Sequence, residues 1–213
     1  MSSVAPTRLL LVRHAEVESD YQKKFGGKID MNLSPCGHEQ ARILAKYIRA
    51  KKIDAVYSSP MKRVQQTIAP FLNNGAPPQT ILQDLREVDF GAWTGLNWQQ
   101  VSEKFNLLTH EWLDHIERGM APHGEDGPQF RARIEPCLHG IIKKHPGQTI
   151  GVFCHGGVIR MILAIFLEIP LPRTNMFEIE YASVTQMALH PSHAEIELLN
   201  FTPWRDVLID DPD

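Results

Sequence analysis

An apolar run near the start of the chain, residues 9–12, ends abruptly in Arg13 and His14. A short apolar run bounded by polar residues is typical of a strand buried on both faces. In an open α/β sheet, ligands bind beyond the carboxyl ends of such strands. We therefore expect Arg13 and His14 at a ligand-binding edge, although a strand that simply runs into a polar loop is an equally good interpretation of these residues alone.

Strand and helix patterns alternate after this run. Ser34 and Pro35 are typical of a helix start, and apolar residues then recur at helical spacing up to Ile48. A short strand at 53–57 precedes a second helix whose apolar face extends to Leu72. Further strands are predicted at 80–82, 149–154, 176–181, 184–189 and 195–200, and further helices at 101–116, 128–144 and 158–167. This alternation predicts an α/β fold with parallel strands and right-handed crossovers.

Length and charge narrow the class of protein. The 213 residues suit one domain, which we assign to 1–213 with a loose acidic tail from about Asp206. A net charge of -3 argues against a nucleic-acid or membrane-surface partner, which would favour a basic excess. The N-terminus lacks the pattern of a signal peptide, and the longest apolar stretch, 158–167, is too short to span a bilayer. We expect a cytoplasmic protein, as a monomer or a homodimer.

Three cysteines, Cys36, Cys137 and Cys154, are widely spaced and form no metal-binding pattern. Their odd number and spacing predict neither a disulfide framework nor a zinc site. Most of the ten histidines, His193 among them, are predicted to be ordinary surface or core residues.

Residues 91–127 interrupt the regular pattern with tryptophans and glycines. We interpret this segment as a helical, cap-like excursion that packs against the rest, because an aromatic stripe at helical spacing usually faces a core. A mobile lid is the alternative interpretation.

Polar groups of related chemistry follow three of the predicted strands. They are Arg13-His14, Ser58-Ser59 leading to Arg63, and His155-Gly156-Gly157. Arg63 would lie in the first turn of a helix, where a cation is unfavourable unless an anion binds beside it. The glycines after His155 allow backbone N–H groups to approach a ligand at a helix N-terminus. Together these groups predict a local phosphate pocket.

Several motifs, taken in order, resemble the histidine phosphatase superfamily, also called the phosphoglycerate mutase-like family. The matching pieces are 11–16 (Leu-Val-Arg-His-Ala-Glu), 27–30 with 33–34 and 37–41, 58–67 (from Ser-Ser-Pro to Gln-Thr), 85–87 with 91–95, and 155–160 (His-Gly-Gly-Val-Ile-Arg). The resemblance implies a three-layer α/β/α sandwich with a mostly parallel central sheet and an antiparallel edge strand. It also implies a phosphomonoester hydrolase that acts on a small phosphorylated metabolite.

The resemblance assigns a role to each matching residue. His14 is the implied nucleophile that becomes a phosphohistidine, Glu87 the general acid, and Arg13, Arg63 and His155 the groups that bind and stabilise the phosphoryl oxygens. Positive charges on Arg13, Arg63 and His155 would keep His14 neutral, as a nucleophile requires. No metal and no cofactor are expected, and the activity optimum should be acid to neutral. The full set of predicted binding residues is Arg13, Arg63, His155, Gly156, Ser19, Lys28 and Glu125.

Two positions depart from the family pattern. Val17 and Asp20 occupy places where the family often has Thr or Ser and a phosphate-binding Asn, so Ser19 or Lys28 is expected to supply the missing donor. The Arg and Tyr that follow the acid in family mutases are absent after Glu87, which favours a phosphatase over a mutase. The loop 122–126 resembles a Pro-x-Gly-Glu-Ser loop near the substrate in phosphatase branches. Its acidic residues, Glu125 included, would favour neutral-bodied monoesters over bisphosphates.

Three alternatives remain open from the sequence. Cys154 and Arg160 form a Cys-x5-Arg pattern, which is found in cysteine-dependent phosphatases but leaves the other motifs without roles. A cofactor-dependent mutase and a non-catalytic phosphate sensor of the same fold are the other two.

Overall fold

The computed structural model describes residues 5–73, 75–108 and 111–206, which form a six-stranded sheet between helical layers. The strands are β1 (Thr7–Arg13), β2 (Ala55–Ser58), β3 (Gln79–Ile81), β4 (Thr149–Cys154), β5 (Val184–Leu189) and β6 (Ala194–Phe201). The helices are α1 (Pro35–Arg49), α2 (Lys62–Leu72), α3 (Trp98–Phe105), α4 (Trp112–Glu117), α5 (Gly127–Lys144), α6 (Gly156–Phe166) and α7 (Pro203–Asp206).

The sheet order is β3-β2-β4-β1-β5-β6. The first four strands in this order are parallel, whereas β5 is antiparallel to both β1 and β6. The sheet is therefore mostly parallel, as predicted, and the strand that runs against the others lies one position inside the edge strand β6. Burial alternates along β6, as expected for a half-exposed edge strand.

Each face of the sheet has its own apolar core. Helices α1 and α2 pack on one face with Leu10 and Val12 of β1, and helices α5 and α6 pack on the other with Leu9 and Leu11. Because successive residues of a strand face opposite sides, the apolar run of β1 contributes to both cores at once. The three-layer sandwich is thus confirmed, with β1 at its centre.

Two elements differ from the sequence prediction. The predicted strand at 176–181 is absent: a 3₁₀ helix occupies Leu171–Met176 and irregular backbone follows it. Side chains take the backbone bonds that a sheet would have used, since the N–H of Glu180 donates to Asn200 and the carbonyl of Tyr181 accepts from Trp204.

The helical pattern at 101–116 is divided between α3 and α4. Asn106 ends α3 in the left-handed conformation, with φ of 53°. Asp206 is the last residue of α7, and the predicted loose tail beyond it lies outside the described residues. Within the described ranges, no helix is both long and apolar enough to cross a membrane. The three cysteines are unpaired.

Candidate active site

A cavity of about 230 Å³ opens at the carboxyl ends of β1 and β4. Its charged wall consists of Arg13, His14, Arg63, Glu87 and Arg160, and its aromatic wall consists of Phe25, Trp98 and Trp112. Lys24 and Tyr181 also line the cavity. With His14 neutral, the lining carries four cations and one carboxylate, Glu87. The site is therefore locally positive in a chain of net charge -3.

The backbone of His14 is held from both sides. Its N–H donates to the carbonyl of Cys154 in β4, and its carbonyl accepts from the N–H of Ala182, each over 3.1 Å. The ring nitrogen Nδ1 lies 2.8 Å from the carbonyl oxygen of Ala15. Because a carbonyl oxygen can only accept, Nδ1 carries the proton and Nε2 keeps its lone pair.

The pKa of His14 is held well below its ordinary value of 6.5. Burial is the largest cause, and the charges of Arg63 and then Arg13 add to it. From the sequence we predicted that charged neighbours, His155 among them, keep the ring neutral. In the structure, desolvation of a ring only 6% exposed comes first, and His155 is not among the causes.

Arg13 and Arg63 reach the cavity from different elements. Arg13 ends β1; its Nη1 donates to the carbonyl of Ile179, and its guanidinium lies 4.1 Å from the ring centroid of Tyr181. Its Nε is buried and has no hydrogen-bond partner within the described part of the chain. A buried donor without a partner is costly, so an anion would be stabilised there.

Arg63 lies in the first turn of α2, as predicted, and is 2% exposed. It donates through Nη1 to the carbonyl of Ile29 and through Nη2 to that of Gly27, at 2.8 and 3.1 Å. Burial lowers its pKa to about 10. A guanidinium has five N–H groups, so the remaining ones are available for a ligand.

His155 is fully buried and packs edge-on against His14, with 5.3 Å between ring centroids. Its Nε2 lies 2.8 Å from the hydroxyl oxygen of Ser59, which follows β2. Burial, together with Arg63, holds the pKa of His155 well below 6.5. His155 itself does not line the cavity, whereas the next residue, Gly156, does.

Glu87 faces the N-terminus of α6. Its Oε2 accepts from the N–H of Gly157 over 3.2 Å. A Cβ at position 157 would lie 2.4 Å from Oε1 of Glu87, so only glycine permits this close approach.

Arg133 of α5 holds the segment that carries Glu87. It donates to the carbonyls of Arg86 and Glu87 at 2.9 and 3.1 Å, and also to that of Asp84. Glu125 completes its coordination through an ion pair of 2.7 Å. Sequence reasoning missed Arg133, because nothing in a helical arginine 46 residues from Glu87 indicates the contact.

The aromatic wall joins three separate segments. The ring of Phe25 lies 4.5 Å from that of Trp98, between centroids, and 6.3 Å from that of Trp112. Trp93 is fully buried beneath them, so this part of the segment 91–127 packs into the core, and Trp98 and Trp112 of the same segment line the cavity. The sequence prediction included the packing but missed the contact with the site, as it also missed Tyr181.

Besides His155, three more predicted binding residues do not line this cavity. Ser19 is exposed in the 3₁₀ turn Ser19–Tyr21 and does not line it, and Asp20 in the same turn is exposed too. Lys28 pairs with Asp89 over 2.5 Å and lines a neighbouring cavity, which Glu125 shares. Because Arg133 neutralises Glu125, the predicted repulsion of anionic substrates by that carboxylate loses its basis.

The loop after His14 presents other groups to the cavity. Val17 is 1% exposed and bridges to Leu33, while Lys24 and Tyr21 also line the cavity. Lys24 and Tyr21, rather than Ser19 or Lys28, are therefore the donor side chains that this loop brings to the cavity.

The Cys-x5-Arg alternative does not fit the structure. Cys154 is fully buried in β4, and burial raises the pKa of its thiol far above the ordinary value. The guanidinium of Arg160 donates to the carbonyls of Thr174 and Phe177. A thiol that stays protonated in the core cannot act as a nucleophile.

One edge of the sheet thus carries a neutral imidazole, several guanidinium groups and a carboxylate. These are the groups that a phosphoryl-transfer enzyme requires. The model of the histidine phosphatase superfamily, branch 1, matches residues 9–202. The chain therefore belongs to the histidine phosphatase superfamily. The predicted family and the predicted phosphatase class are both confirmed.

Individual relatives agree with this assignment. The chain is 28% identical over 193 residues to a putative phosphoserine phosphatase 2 of Hydrogenobacter thermophilus, a match that covers 91% of this chain and 95% of the relative. It is 31% identical over 166 residues to a metal-independent phosphoserine phosphatase of Arabidopsis thaliana, with 76% and 68% covered. Among solved structures, a putative α-ribazole-5′-phosphate phosphatase from Escherichia coli K-12 superposes with a TM-score of 0.81 at 23% identity, covering 92% of this chain and 97% of the other. That likeness confirms the fold.

Proposed function

We propose that the protein hydrolyses phosphomonoesters by passing the phosphoryl group first to Nε2 of His14 and then to water. The observation that carries the proposal is the state of His14: a buried, neutral ring with Nδ1 engaged by Ala15, lining the same cavity as two arginines. Such a ring has its lone pair available at neutral pH.

The reaction has two balanced halves. In the first, Nε2 of His14 bonds to phosphorus, the ester P–O bond breaks, and Glu87 gives a proton to the leaving alcohol. In the second, ionised Glu87 takes a proton from water, whose oxygen attacks phosphorus and releases inorganic phosphate from His14. Arg13 and Arg63 bind the phosphoryl oxygens beside the backbone of Gly156, and the buried ring of His155 packs against that of His14.

The aromatic wall bears on the choice of substrate. A cavity of about 230 Å³ with an apolar side suits a small monoester whose body has apolar surface. The size and the apolar side of the cavity thus favour monoesters over bisphosphates, on shape rather than on the charge of Glu125. Phosphoserine and α-ribazole phosphate, suggested by the names of similar proteins, belong in a substrate panel with sugar phosphates, nucleotides and glycerates.

The test traps the covalent intermediate. Wild-type protein is mixed with p-nitrophenyl phosphate in EDTA, quenched in base, and examined by intact mass. We expect one added phosphoryl group that acid removes, and neither turnover nor phosphorylation in His14→Asn. His38→Asn, at an exposed site on α1, should retain both. Turnover by His14→Asn at the wild-type rate would contradict the mechanism, and binding of phosphate without turnover of any ester in the panel would favour a sensor.

A further inference from the structure

The turn between β5 and β6 carries two histidines and a carboxylate at the edge of the sheet opposite the active site. β5 begins two residues after Ala182, which bonds to His14, and runs away from that edge for six residues. At about 3.3 Å per residue, the turn lies about 20 Å along the strand from the catalytic edge. His190, His193 and Glu195 therefore form a cluster separate from the cavity.

The spacing of these three side chains suits a metal ion. Each offers one ligand atom, and the three atoms lie within 4.8 Å of one another. Nε2 of His193 is 2.9 Å from one carboxylate oxygen of Glu195, and Nε2 of His190 is 3.5 Å from the other. Neighbouring ligands of a tetrahedral Zn²⁺ are about 3.3 Å apart, given metal–ligand distances of about 2.0–2.1 Å. The two observed separations lie on either side of that value.

One nitrogen in the cluster has no hydrogen bond. Nε2 of His190 is a buried atom that makes no hydrogen bond within the described residues, and the carboxylate oxygen of Glu195 that it faces is 3.5 Å away. Buried polar atoms are nearly always satisfied, so this nitrogen indicates a ligand between the two groups.

The turn itself orients the histidines. The N–H of His190 donates to the carbonyl of His193 over 2.9 Å, and the two rings stack in parallel with 4.6 Å between centroids. Nδ1 of His193 lies 3.1 Å from the hydroxyl oxygen of Ser192. An outer partner of this kind fixes a ligating imidazole with its other nitrogen free.

We propose that His190, His193 and Glu195 bind one divalent cation of the late first-row series, with Zn²⁺ as the principal candidate and water in the remaining position. Two imidazoles and one carboxylate suit Zn²⁺, whereas Mg²⁺ and Ca²⁺ require oxygen ligands. Since the ligands span a turn between two strands, the bound ion stabilises that hairpin. The sequence prediction treated His193 as ordinary and considered zinc mainly through the cysteines, so the His-x2-His-x-Glu spacing was missed.

The experiment titrates the tag-free full chain with ZnCl₂ by calorimetry, and with Co²⁺ by visible absorption, which reports tetrahedral coordination. We expect one site per chain in the wild type. His193→Ala and Glu195→Gln should bind Zn²⁺ at least about 100-fold more weakly, since even the loss of an outer partner costs 10–100-fold. Zinc should raise the Tm of the wild type but not of these two variants.

Two controls locate the ion. His38→Ala removes an exposed histidine elsewhere, and His14→Asn removes one from the cavity; both should retain the site. Unchanged zinc affinity in Glu195→Gln would overturn the proposal, as would the absence of saturable binding in the wild type. Glu195 is exposed and its replacement keeps the side-chain shape, so a loss of binding by this variant is separable from unfolding by circular dichroism.

Discussion

The charged and aromatic walls of the cavity are built by different means. Arg13 and His14 stand where β1 ends, and Arg63 stands in the first turn of the helix after β2, so hydrogen bonds of the sheet and helices fix their positions. Phe25, Trp98 and the other rings come from segments outside the sheet and are held by contacts with one another. We expect the charged wall to set the rate of the chemistry and the aromatic wall to select the alcohol.

The largest expected effect is the loss of kcat in Glu87→Gln, a variant of the charged wall. Loss of the proton donor should lower kcat by about 10²–10⁴ for alkyl phosphates, and by less for p-nitrophenyl phosphate, whose leaving group needs no proton. Glu103→Gln, an exposed carboxylate on α3 that does not line the cavity, is the matched control. Steady-state kinetics with both substrate types measure the effect, and equal losses for both would remove Glu87 from the acid role.

A smaller effect is expected from a single methyl group on the charged wall. In Gly157→Ala the new Cβ would lie 2.4 Å from Oε1 of Glu87 and would displace the carboxylate, so kcat should fall about 10–100-fold. In Gly156→Ala the nearest atom, Nε of Arg13, is 3.5 Å away, an ordinary contact, and kcat should change far less. Equal kcat values for the two variants would show that the position of Glu87 does not limit the reaction.

The aromatic wall is tested by Trp112→Leu. Loss of one ring contact, worth about 0.5–1.5 kcal/mol, should reduce kcat/KM for aryl phosphates by up to about tenfold and leave glycerol phosphate nearly unchanged. Phe105→Leu, which alters a partly buried ring on α3 that does not line the cavity, is the control. A uniform loss of kcat/KM for every substrate in Trp112→Leu would mean that this wall supports the chemistry rather than selection.

The smallest expected effect is on stability. The pKa of buried His14 is lowered. Below about pH 6.5 this histidine therefore binds a proton in the unfolded chain but stays neutral in the folded chain. The free energy of unfolding should therefore fall with decreasing pH, by at most about 1.4 kcal/mol per pH unit for each such histidine. Urea unfolding between pH 7.5 and 5.5 should show a shallower dependence in His14→Asn, and an unchanged one in Trp112→Leu. Identical slopes in His14→Asn and the wild type would contradict the burial argument.

The distinction between positions fixed by the sheet and positions fixed by tertiary contacts also explains what could be predicted from the sequence. Apolar runs determine where β1 and β4 stop, so the positions of Arg13, His14 and His155 follow from a local pattern. The family resemblance then indicated Glu87. Tyr181 and Arg133 could not be found in this way, because tertiary contacts alone bring them to the site. The prediction of a strand at 176–181 was wrong for a related reason. Side chains distant in sequence form hydrogen bonds with backbone groups of this segment that a sheet would have paired.

The bonds on both sides of the His14 backbone have a further consequence for the motion of atoms during turnover. A residue tied to Cys154 and to Ala182, with its ring fixed by Ala15, cannot travel toward the substrate. In the proposed mechanism the phosphorus atom must then cover the distance, moving from the ester oxygen to a stationary nitrogen and later from that nitrogen to water. In a loose transition state this migration of the electrophile costs little, because the phosphoryl group is only weakly bonded to either side.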